Sequence, residues 1–132
     1  MFSKVLLSLP IALLAATTSY AQTVKAEIPF EFSVGQKVLP AGTYTFDSSL
    51  TPGVVCVRSA NRKENAMAIA NNAGNPNHSG TPKIVFSRYG ENHFLSQVVY
   101  DSGAARQLPK SHREIELLAR GPAKKEVLLA SK

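Results

Sequence analysis

The chain is short of cysteine, of acidic residues and of long apolar runs, and each shortage closes off a class of protein. Its one cysteine, Cys56, excludes an intramolecular disulfide, so the fold has to be held by apolar burial. Cys56 sits in the apolar run Val54-Val55-Cys56-Val57 and reads as a buried thiol. Beyond the N-terminal residues no apolar stretch approaches the ~20 residues of a membrane-spanning helix. No G-x-S-x-G, S-x-x-K, P-loop or G-x-G-x-x-G occurs, which removes the common hydrolase and nucleotide-binding signatures. His78, His93 and His112 are scattered, and the Asn-rich stretch from Asn71 to Pro82 carries no carboxylate for a calcium ion. Glu27 and Glu31 lie four residues apart on one strand, roughly 13 Å at about 3.3 Å per residue, too far for a glycosidase pair. The residues therefore assign no catalytic group, no metal and no cofactor.

The first residues have a different character. Lys4 precedes the apolar run Val5 to Ala16, and Ser19 and Ala21 place small residues at −3 and −1 of a cleavage site. This pattern predicts a secretory signal peptide over residues 1–21, cut between Ala21 and Gln22. The remainder, residues 22–132, is the size of a single domain, with a location in the periplasm or outside the cell.

From Ile28 to Phe46 the sequence alternates. Ile28, Phe30, Phe32 and Val34 share one face of an expected first strand, and Tyr44 and Phe46 share a face after the Pro-Ala-Gly turn. Further strands are expected at 54–59, 65–70, 83–89 and 93–100, with Ala66, Ala68 and Ala70 facing one way and Met67 and Ile69 the other. Ser111-His112-Arg113-Glu114 fits a capping box, in which Ser111 accepts from the Glu114 amide and Glu114 reaches back. It predicts a helix over about 110–120 that covers the sheet with Ile115, Leu118 and Ala119, carries a Glu116–Arg120 pair, and stops at Gly121-Pro122. Residues 121–132 follow as a basic tail in which Glu126 to Ala130 fits a last strand or a continuing helix, with the strand favoured. The fold class is all-β: a small antiparallel barrel or sandwich of about seven strands with one short C-terminal helix.

Two residue sets suggest contact with a partner. Residues 106–132 hold seven basic and three acidic groups, against seven and six in residues 22–105. Arg106, Lys110, Arg113, Arg120, Lys124 and Lys125 are thus candidates for contact with an anionic envelope polymer or lipid headgroup. Phe30, Phe32, Tyr44, Phe46, Phe86, Phe94 and Tyr100 would line the interior of a partly open barrel able to carry a small apolar ligand. Phe86-Ser87-Arg88-Tyr89 reads as core alternation with an edge cation, so no nucleic acid is expected. Asn77-His78-Ser79 fits the N-x-S glycan acceptor pattern.

Three blocks, I-P-F-E-F-S-V-G-Q-K-V-L-P-A-G-T-Y, V-F-S-R-Y-G-E-N-H-F-L-S-Q-V and R-Q-L-P-K-S, resemble a group of small secreted bacterial proteins of the acidobacterial type. The resemblance runs from about Val24 to Arg120. It implies an exported β-rich domain and carries no activity, so no catalytic or binding residue comes with it.

The readings together favour a non-enzymatic binding or structural module of the envelope or exterior. A carrier of a small apolar ligand is the alternative, and a small secreted hydrolase comes third.

Overall fold

Alternation of apolar and polar residues builds nearly all of this protein. The computed structural model describes residues 22–74 and 80–131; Ala21 with the rest of the expected signal peptide, and the Asn77-His78-Ser79 triplet, lie outside the described residues. Strands β1 (Thr23–Ile28), β4 (Gly42–Asp47), β5 (Val54–Ser59) and β6 (Asn65–Ile69) form one antiparallel sheet in the order β1-β4-β5-β6. The second sheet contains β7 (Asn71–Asn72), β8 (Lys83–Tyr89), β9 (Asn92–Val99), β10 (Ala105–Gln107) and β11 (Lys124–Leu129), in the order β11-β8-β9-β10-β7. A hairpin of β2 (Phe32–Val34) and β3 (Lys37–Leu39) joins this sheet where β2 lies parallel to β9.

The two sheets are linked at both seams, which gives the sandwich its barrel-like form. On one side β6 runs through Ala70 directly into β7, so a single stretch of chain serves both sheets. On the other, Lys25 and Ser131 exchange backbone hydrogen bonds of 2.7 and 2.8 Å, tying β1 to the end of β11. Closing a seam satisfies edge N–H and C=O groups that would otherwise face solvent.

The all-β class with one C-terminal helix is what the sequence predicts, and the extra strands are short ones. The expected first strand over residues 28–34 is in fact interrupted. β1 ends at Ile28, Pro29 cannot donate to a ladder, and the chain crosses to the other sheet before β2 begins at Phe32. Two residues, Gly35-Gln36, turn β2 into β3, and Gly90-Glu91 turn β8 into β9. Each turn opens on a glycine with positive φ, 62° and 64°, as a two-residue hairpin requires.

Between the sheets lies one core. Val24, Ala26 and Ile28 of β1 face Tyr44 and Phe46 of β4 and Val55 and Val57 of β5. Ile84, Phe86, Leu95, Val98 and Tyr100 fill it from the second sheet. The Phe32 ring meets Tyr44 and Phe86 edge-on, with centroids 5.1 and 5.5 Å apart, and Phe30 meets Phe86 at 5.0 Å. Such edge-to-face pairs are each worth about 0.5–1.5 kcal/mol beyond burial. Cys56 is buried and free, on the opposite side of β5 from Val55 and Val57.

Candidate binding surface

The helix and β11 carry the residues that the sequence marks for partner contact. Helix α1 (His112–Arg120) starts where expected, because the Ser111 side chain accepts from the Glu114 amide at 3.2 Å. The reciprocal half of the box is not made. Glu114 turns inward and accepts a 2.8 Å hydrogen bond from the Tyr89 hydroxyl. Both groups are buried, Glu114 at 5% and Tyr89 at 8% exposure, so this polar bond is the pin that holds the helix on the sheet. Burial pushes the Tyr89 phenol up to about 12, with the hydrogen bond to Glu114 and its negative charge adding to the effect.

That pin decides which side of the sheet the helix covers. Tyr89 and Phe94 meet edge-on at 5.8 Å, and with Val85 they are buried outside the main core. Phe94 therefore does not belong to the barrel interior as expected; it lies on the outer face, beside the helix. The other expected lining residues, Phe32, Tyr44, Phe46, Phe86 and Tyr100, are in the core, with Phe30 half-buried against it. They fill the interior with their own rings. The Tyr44 hydroxyl donates to the Pro40 carbonyl at 2.7 Å. The Tyr100 hydroxyl is buried without a hydrogen bond of ordinary geometry, and burial pushes it up to about 12, with nearby Ser48 tempering the shift.

The helix does not cover the sheet with Ile115, Leu118 and Ala119, all of which are exposed. Helical spacing explains this for two of them: once Glu114 points inward, Ile115 and Ala119 are turned about 100° or more away, while Leu117 and Leu118 flank the inward direction and are only partly covered. The expected Glu116–Arg120 pair is also replaced, since Glu116 lies 3.5 Å from His112 one turn earlier.

The six basic candidates separate into two groups. Arg106 on β10 is half-buried, and its guanidinium donates to Gln22 Oε1 at 2.8 Å and to the Ala105 carbonyl at 3.2 Å. Ser48 donates to the same Gln22 oxygen at 2.8 Å. Arg106 thus holds the chain at Gln22 and, half-buried, is set apart from the other five. Lys110, Arg113, Arg120, Lys124 and Lys125 are exposed around α1 and the start of β11. Arg113 reaches Asn92 at 3.2 Å, and the other four side chains have no partner among the described residues. The three carboxylates of the same stretch are all engaged: Glu114 by Tyr89, Glu116 by His112, and Glu126 by Arg88 at 3.8 Å and His93 at 3.4 Å. Residues 124–129 form a strand where the sequence favours one over 126–130, and the β8–β11 register adds a cation that sequence reasoning missed. Lys83 stands opposite Leu129, exposed and without a partner among the described residues. Only strand pairing could have revealed it.

A cleft of about 530 Å3 separates α1 from the β2–β3 hairpin, with Ser33, Phe94, His112 and Arg113 in its walls. A smaller one of about 50 Å3 adjoins it and brings Ser33, His93, Glu31 and Arg113 together. A hydroxyl, an imidazole and a carboxylate in one cleft invite a hydrolase reading, yet the strands turn them apart. Ser33 pairs with Phe94 on the outer face, while His93, one residue earlier, points inward. Its ring stacks on Phe30 at 3.6 Å and its Nδ1 is buried without a partner. Hydroxyl and imidazole thus leave their strands toward opposite faces of the sheet, and no hydrogen bond joins them. No group of three potential metal ligands occurs among the described residues.

The fold and surface define an all-β, barrel-like sandwich with one externally pinned helix. Comparison with protein-family models, curated proteins and solved structures finds no match for the chain.

Proposed function

We propose that this protein is an exported binding module that acts by contact, holding an anionic partner against α1 and the start of β11. One observation carries the reading: four exposed cations of this stretch have no partner among the described residues. Lys110, Arg120, Lys124 and Lys125 therefore present uncompensated positive charge, with Arg113 and Lys83 beside them. Charges of one sign concentrated on one surface raise the local concentration of an oppositely charged polymer or headgroup layer. The signal-like pattern of residues 1–21 and the resemblance to small secreted bacterial proteins support placement in the envelope or outside the cell.

Retention on an immobilised polyanion tests this. The protein should elute at a salt concentration well above that of a Lys124→Gln/Lys125→Gln variant, because exposed charges act through a field that salt screens. Equal elution of the two proteins would refute the assignment.

A further inference from the structure

The same surface carries apolar groups that a polymer contact would not use. Ile115 and Leu118 on α1 are 53% and 41% exposed, and Val127 and Leu129 on β11 are 46% and 73% exposed. They belong to one side of the molecule. Val127 pairs with Val85, which has the same outward parity on β8 as Tyr89, the residue that pins α1. The polar flank of the helix, His112, Arg113 and Glu116, faces the cleft beside the β2–β3 hairpin. Helical spacing turns Leu118 well away from that flank and sets Ile115 between the two, one turn on from His112.

We infer that this face docks on the surface of an anionic lipid bilayer, with Ile115, Leu118, Val127 and Leu129 entering the headgroup boundary and the surrounding cations on the phosphates. The inference rests on the anionic-partner reading above and narrows it to lipid. Charge complementarity selects the occupant: Lys83, Arg120 and Lys125 are exposed and unpartnered beside the apolar groups, which a second copy of the same basic face would meet with repulsion. A hydrophilic polyanion would satisfy the cations and leave four apolar side chains in water. An interface with anionic headgroups takes both, and binding there grows with buried apolar area plus charge attraction. No helix among the described residues is long and apolar enough to cross a membrane, so the contact is with the surface.

The test uses the protein as recovered from its host, with phosphatidylglycerol and phosphatidylcholine vesicles. The chain contains no tryptophan, so Leu118→Trp places a single reporter on the face. Its emission should shift to the blue with phosphatidylglycerol and stay put with phosphatidylcholine. An Ile115→Ser/Leu118→Ser variant should lose about tenfold or more in vesicle partition while keeping its retention on a polyanion column. Lys124→Gln/Lys125→Gln should lower both. Vesicle binding by the serine variant equal to the parent's, or an unshifted reporter, would overturn the lipid assignment; continued polyanion retention would then leave the wider reading standing with a polymer as partner. A parent protein held by neither would overturn both.

Discussion

The interior of the sandwich and the layer outside its second sheet are built on opposite terms. Inside, Phe30, Phe32, Tyr44 and Phe86 pack ring against ring, and Val24, Leu39, Phe46, Val55, Val57 and Ile84 are 0–1% exposed. Outside, a nine-residue helix is held by one buried tyrosine–glutamate hydrogen bond, while three of its four apolar residues are exposed. The core is a complete sandwich before the helix is added. Stability and partner contact therefore fall on separate residues, and substitutions should divide accordingly.

The largest effects belong inside. Phe86→Ala removes a ring that touches Phe30, Phe32 and His93 edge-on and should cost about 3–5 kcal/mol. Leu39→Ala, at 0% exposure, should cost about 2–5 kcal/mol. Urea unfolding measures both. The folded fraction of either variant should bind a polyanion column as the parent does; altered retention would show that core and contact layer are coupled.

The pin comes next. Tyr89→Phe strips Glu114 of its partner while leaving it buried, and should cost about 1–3 kcal/mol. It has a signature in pH that a packing defect lacks. Tyr89 and Tyr100 are both raised to about 12 from an unfolded value of 10.0. Between those values the unfolded phenols lose protons that the folded ones keep. The stabilisation is therefore fully present below pH 10.0 and falls as pH rises toward 12, by about 1.4 kcal/mol per pH unit for each tyrosine. Unfolding followed across that range should show a shallower decline in Tyr89→Phe than in the parent. Equal slopes would mean that the Tyr89 phenol titrates alike in the folded and unfolded chains, which its burial beside Glu114 forbids.

These two regions also differ in how far they could be read from the sequence. Strand alternation located the β elements around Tyr44, Val55, Met67 and Phe86, because a period of two survives whatever the strand pairs with. The crossing at Pro29 was hidden: Ile28, Phe32 and Val34 are buried from both sheets, and the alternation continues through the break. The helix was legible in position from Ser111 and Gly121 and misread in orientation. Its apolar residues suggested an inward face, whereas the inward residue is Glu114, whose partner Tyr89 is 25 residues away. Long-range polar pairs leave no local pattern. The tie of Arg106 to the start of the domain was hidden for the same reason, since its acceptor Gln22 lies 84 residues earlier in the chain.

Leu118→Ala should be nearly silent in stability, within about 0.5 kcal/mol of the parent. It is the same substitution as Leu39→Ala, so the side chain removed is identical and only the surroundings differ. At Leu118, 41% exposed, part of the side chain already faces water, and alanine suits an exposed helical position slightly better than leucine, which offsets part of the packing that goes. The ratio between the two leucines measures how far the contact layer is separated from the core. A cost above about 1.5 kcal/mol at Leu118 would place that side chain under cover in solution. If the cost then grew with protein concentration, a second copy would be the cover, and the face would be occupied before any partner reached it. A small cost independent of concentration leaves Leu118 free, with its apolar surface held out to water at a position where the fold gains almost nothing from it.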